Sequence, residues 1–168
     1  MNAHVSLSEN PVGLYSVEER IRRDQSVWTL VQGILAPIQF LVFAVSVGLI
    51  AHWWMTGSWL MAAHVSIVIK TMTLYAIMIT GSIWEKEVFG AYLFARPFFW
   101  EDMVSMLVLA LHTAYLAALF GGLLSDGQLM ALAVAAYVSY VINAGQFLWK
   151  FRLARLDASS NAKIGAAA

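Results

Sequence analysis

Side chains able to hold a charge or move a proton are scarce in this sequence, and their spacing sorts them into two groups. Gln39, Lys70, His112 and Tyr140 stand singly within long apolar runs, supplying an amide, an ammonium, an imidazole and a phenol. Glu85, Glu87, Glu101 and Asp102 flank one polar connection that also carries Lys86 and Arg96. An ammonium deep in an apolar run needs a partner, an aqueous cavity or loss of its proton, so Lys70 is a candidate binding group. His112 can be a general acid or base, a ligand of a metal or macrocycle, or a core histidine satisfied by its neighbours. For Gln39 and Tyr140 the plainer alternative is hydrogen bonding that joins helices. Carboxyl groups crowded beside aromatic surface are a place where a proton can be held for general acid chemistry. The plainer alternative for acids at a helix start is compensation of the helix dipole, which accounts for Asp102 and for one of Glu85 and Glu87.

The elements that must position these groups follow from composition. Of 168 residues, 61% are apolar and 12% charged, against roughly 45–50% and 25% in a soluble domain. Gln25 to Ile69 is a run of 45 residues without Asp, Glu, Lys or Arg, and Met103–Ser125 and Gly127–Trp149 are further runs of 23 each. A bilayer span takes about 20 apolar residues. The first run holds two spans, because Met55-Thr56-Gly57-Ser58 breaks it with turn formers and Trp53, Trp54 and Trp59 flank the break. The fold class is therefore all-α: a polytopic membrane protein with four transmembrane helices at 27–54, 58–84, 99–120 and 128–150.

Residues 1–26 form an N-terminal segment without a cleavable signal pattern, in which Ser16-Val17-Glu18-Glu19 starts a short amphipathic helix with a capping box. Residues 27–156 make the transmembrane domain, and 157–168 are expected to be a disordered tail. The connection from Glu85 to Asp102 is long, amphiphilic and aromatic, suited to a membrane surface. Arg20, Arg22 and Arg23 precede the first span, Lys86 and Arg96 lie between the second and third, and Lys150, Arg152 and Arg155 follow the fourth. The remaining two turns carry no Lys or Arg, so both termini are expected in the cytoplasm. All seven Trp fall near span ends. Helix rise puts Gln39, Lys70, His112 and Tyr140 each roughly 18 Å into its own span, so the four share one level.

Other classes are disfavoured. Ten Lys plus Arg balance ten Asp plus Glu, leaving no basic field for nucleic acid. With Cys absent, disulfides, thiolate metal sites, Cys nucleophiles and iron–sulfur clusters drop out. The Glu-x-x-His pattern of carboxylate-bridged metal pairs is missing, and no metal or cofactor is expected. His52 and His64 lie at different depths, a poor match to a bis-His haem. Asn143 and Gln146 share a helix face, with hydrogen bonding as their plain role. Gln39-Phe40-Leu41 and Gln146-Phe147-Leu148 match over three residues, too few for a repeat-built transporter.

Several blocks carry a family resemblance. Arg22-Arg23-Asp24, Trp28 to Leu41, Ile79 to Gly90, Phe98-Phe99-Trp100-Glu101-Asp102, Leu111 to Tyr115 and Asn143 to Lys150 resemble the 3-vinyl bacteriochlorophyllide hydratase family, over about residues 20–156. The resemblance implies a hydro-lyase that adds water to the C3 vinyl group of chlorophyllide a, or a related bacteriochlorophyllide, giving a 1-hydroxyethyl group. It further implies a multi-pass protein of a bacterial cytoplasmic or intracytoplasmic photosynthetic membrane, with neighbouring pigment-synthesis enzymes as potential partners. Hydration needs a proton donor, a placed water and a base, and no redox cofactor. Glu85, Glu87, Glu101 and His112 are the catalytic candidates. Lys70, Lys86, Arg96, Gln39, Tyr140 and Asn143 are the substrate-binding candidates, Lys86 or Arg96 pairing a carboxylate of the macrocycle. The alternative is a non-catalytic membrane protein that binds or assembles pigment or haem through His112 or His64. A small transporter is a third, weaker class.

Overall fold

The computed structural model describes the backbone of residues 14–167 and the side chains of residues 14–156. The expected tail over 157–168 and residues 1–13 of the N-terminal segment lie outside the fully described residues. Among the described residues there are five helices and no strand: α1 Val17–Gln25, α2 Val27–Thr56, α3 Leu60–Phe89, α4 Phe99–Gly121 and α5 Asp126–Ala167. Four are long and apolar enough to cross a membrane: Val27–Thr56, Leu60–Phe89, Phe99–Gly121 and Asp126–Leu156.

Local chemistry sets the ends. Ser16 and Glu19 close a reciprocal capping box at the start of α1, with Glu19 N donating to Ser16 Oγ at 3.2 Å and Ser16 N to Glu19 Oε2 at 2.7 Å. Ser26 ends α1, its N–H reaching Arg22 O, and its hydroxyl accepts from Trp28 N to start α2. α2 and α3 stop at Gly57 and Gly90, whose φ values of 68° and 84° cost a residue without Cβ little. α3 and α5 run past the expected span ends at 84 and 150. Glu, Lys and Arg are good helix formers, so charge marks the boundary of the apolar run and not the end of the helix. Pro37 lies inside α2 and is spanned by it.

Packing is pairwise. α2 lies chiefly on α3 and α4 on α5, while α1 rests on α3 and α2. A larger apolar core holds Ile67, Tyr115, Met130, Ala133 and Tyr137, and a second, built from Tyr15, Val88 and Phe98, closes the end where α1 sits. That end, with the 90–98 loop, is called the loop end below; the opposite one is the turn end. Along the α2/α5 seam runs an apolar groove of about 430 Å³ lined by Phe43, Val47, Tyr137 and Val141 among others. Polar side chains tie the two hairpins together across the seams: Ser46 Oγ with Tyr137 OH at 2.6 Å, His64 Nδ1 with Tyr115 OH at 2.7 Å, and Tyr75 OH with Thr113 Oγ1 at 2.8 Å. Such bonds in a membrane bundle contribute about 0.6 kcal/mol each.

Candidate functional site

At the loop end three carboxyl groups are buried: Glu85 at 5% exposure, Asp102 at 3% and Glu101 at 7%. They come together because Gly90 ends α3 and a short loop returns the chain into α4, whose first turn carries Glu101 and Asp102. Phe94, at φ 59°, helps turn that loop inward. Phe94 N donates to Asp102 Oδ2 at 2.7 Å and Ala95 N to Glu85 Oε2 at 3.2 Å. The Glu85 and Asp102 carboxyl groups stand close enough to act on each other. Two carboxylates crowded together away from water repel, which favours a proton on one of them.

Glu101 is held differently. Lys150 Nζ donates to its Oε2 at 2.6 Å and also to Pro97 O, with the ammonium 5.2 Å from the Phe98 ring centroid. Asn143 Nδ2 donates to Glu101 O at 2.9 Å, and Ser105 Oγ lies 2.9 Å from that oxygen and 3.1 Å from Asn143 Oδ1. Around these groups stand Tyr15, Trp84, Phe89, Phe98, Phe147 and Phe151, with ring centroids 5.7–6.1 Å apart in successive pairs such as Trp84–Phe98 and Phe147–Phe151. Burial pushes the Tyr15 phenol up to about 12 despite the Arg23 guanidinium 4.7 Å from its ring centroid. Lys86, Glu87 and Arg96 are exposed, Lys86 donating to Gly90 O at 2.8 Å.

The second polar level is halfway along the bundle. Lys70 Nζ donates to Gln39 Oε1 and stands 3.6 Å from the centroid of the Tyr140 ring. His112 Nδ1 is 2.8 Å from Val108 O, and its ring is 5.7 Å from that of Tyr137. Gln39, Lys70 and Tyr140 thus share a level, and His112 is linked to it through the Tyr137 and Phe43 rings. His112 is eleven residues from Glu101 on α4, about 16 Å by helix rise, so the two cannot act on the adjacent carbons of one double bond. His64 is bonded to Tyr115, with Asp126 Oδ1 3.7 Å from its Nε2, and the His52 ring lies 4.6 Å from that of Trp59. Among the described residues no group of three or more His, Asp or Glu side chains is arranged to hold a metal ion.

Sequence reasoning missed the pairing of Asp102, the role of Lys150 and the polar members Ser46, Tyr115 and Tyr137. One signal was present: Glu101, Ser105, Val108, His112 and Tyr115 recur every three to four residues, and all five are buried on the inner face of α4.

A bundle of four membrane-length helices, with acid–base groups buried at one end and a cation buried halfway along, defines a small polytopic protein with an enclosed polar core. The model of the 2-vinyl bacteriochlorophyllide hydratase family matches residues 15–153, and this chain belongs to that family. A relative of that name from Cereibacter sphaeroides is 64% identical over 144 residues, covering 86% of this chain and 89% of the relative. Another, from Rhodobacter capsulatus, is 62% identical over 147 residues, covering 88% and 85%. No solved structure matches.

Proposed function

We propose that this chain adds water to the vinyl group of a bacteriochlorophyllide, and that the Glu85–Asp102 pair supplies the proton. The observation that carries the chemistry is the burial of two neighbouring carboxyl groups, in a chain whose relatives are named for this reaction. Their names number the vinyl group 2, where the resemblance numbers it 3; conjugation of the vinyl group with the macrocycle is the same under either number.

The carboxyl O–H breaks as a C–H bond forms at the terminal vinyl carbon. The resulting cation, on the carbon attached to the ring, is delocalised into the macrocycle. Water bonds to that carbon, and the proton lost from the new oxonium returns to the carboxylate, restoring the acid. The Glu101–Lys150 pair holds fixed charge beside the step, and the half-buried rings of Trp84, Phe89 and Phe147 are apolar groups of the kind a macrocycle stacks on. Exposed Arg96 and Lys86 suit a carboxylate of the macrocycle at the membrane surface. Glu87, being exposed, is assigned no part in the proton step. Lys70, Gln39 and Tyr140 belong to the separate middle level, since Lys70 is fifteen residues from Glu85 on α3, about 22 Å.

On this reading both termini are cytoplasmic, the 90–98 loop lies at the interface, and the protein resides in a bacterial inner or intracytoplasmic photosynthetic membrane. The test is to supply membranes containing this chain with a vinyl bacteriochlorophyllide. A product one water heavier, with a blue-shifted long-wavelength band, is expected. Unchanged pigment that co-purifies with the chain would support a carrier instead.

A further inference from the structure

The middle polar level contains more hydrogen-bonding capacity than its own members use. Lys70 is completely buried, and among the described residues no carboxylate lies within salt-bridge distance of it. Its ammonium spends one proton on Gln39 Oε1 and faces the Tyr140 ring, leaving N–H groups to spare. Gln39, at 2% exposure, has an unpartnered Nε2, and His112, at 0%, an unpartnered Nε2. The Tyr140 ring that faces Lys70 packs on Phe43 at 5.1 Å, Phe43 on Tyr137 at 5.2 Å and Tyr137 on the His112 ring at 5.7 Å, so an unbroken set of ring contacts links Lys70 to His112.

The unpartnered atoms are of opposite kinds. His112 Nδ1 faces a carbonyl oxygen, which only accepts, so Nδ1 carries the proton and Nε2 presents a bare lone pair. Gln39 Nε2 and Lys70 Nζ present donors. A ligand here must therefore accept from an amide or ammonium and donate to an imidazole. A small anion accepts well from Lys70 and Gln39 but meets the His112 lone pair. A cation is repelled by the ammonium. Water both accepts and donates, so it matches all three groups in kind, and together they offer the two to four polar partners that buried water requires.

We propose that Lys70, Gln39 and His112 form a binding site for one internal water molecule, which lets an unpaired ammonium persist in the middle of the bundle. The site is independent of the hydration reaction at the loop end.

The test uses the full chain in lipid nanodiscs with 15N-labelled histidine, the His112 signal being assigned by its loss in His112→Phe. The expected result is an Nε2 resonance shifted from the bare-nitrogen position, with magnetisation transfer from water to the His112 ring, and no change on adding bromide. In Gln39→Leu and Lys70→Met the transfer is expected to fall, with the shift moving toward the bare value. An Nε2 signal at the bare position with no transfer in the wild-type chain would overturn the proposal, independently of any variant's folding. A bromide-dependent shift would overturn it in favour of an anion.

Discussion

Glu85 and Glu87 are two residues apart on one helix, yet only Glu85 is buried against a second carboxyl group. Glutamine at 85 keeps an oxygen for Ala95 N but ends the ability to deliver a carboxyl proton. Glu85→Gln and Asp102→Asn are each expected to lower kcat by about 10²-fold or more, the usual worth of a general acid, while Glu87→Gln stays within about twofold of wild type in the same assay. In the middle level, Gln39→Leu removes the acceptor for a buried ammonium and is expected to destabilise the bundle by about 1–3 kcal/mol. Lys70→Met added to it should recover part of that loss, because the unpaired charge goes too; reversible unfolding in mixed detergent checks both. The middle residues were legible because helix rise converts sequence position into depth. The Glu85–Asp102 pairing was not, since dipole compensation accounts equally well for an acid in a first helical turn. The Lys150–Glu101 pair, 49 residues apart, left no local signature.

Helices were legible as elements because an apolar run of bilayer length must satisfy its own backbone hydrogen bonds, which a helix does within the segment. Their ends depend instead on caps that hydropathy does not register. Gly90 is the clearest case. Its φ of 84° ends α3 and starts the loop whose amides reach Glu85 and Asp102. Gly90→Ala meets no steric obstacle within 4 Å, so its cost is conformational, about 1 kcal/mol. Turnover is expected to fall with it as the loop amides shift, a change read as lower kcat without loss of membrane-inserted protein. Lys150 clamps the same loop from α5 through Pro97 O. Lys150→Met leaves Glu101 without its cation, at a cost below the roughly 3–5 kcal/mol of a fully buried pair because Lys150 is partly exposed. Lys150→Arg, which keeps the charge, is expected to restore more activity than Lys150→Met does.

As a whole molecule the bundle is two hairpins joined by hydrogen bonds, with the acid pair at the end that carries most of the Lys and Arg. The natural chain has no Cys, so single cysteines report topology without background. Cysteine at Ser58, in the α2–α3 turn, and at Ala91, in the α3–α4 loop, should react with a membrane-impermeant thiol reagent from opposite sides of sealed vesicles; labelling from one side would contradict both the four-span topology and the interfacial position of the loop. The central claim is that a buried carboxyl group protonates the terminal vinyl carbon before water adds. Running the reaction in D2O and locating the label by mass and proton NMR tests it most directly. The account expects one carbon-bound deuterium, on the methyl of the new hydroxyethyl group, with that turnover lost in Glu85→Gln. Deuterium on the carbon bearing the hydroxyl, or unchanged labelling and rate in Glu85→Gln, would contradict it.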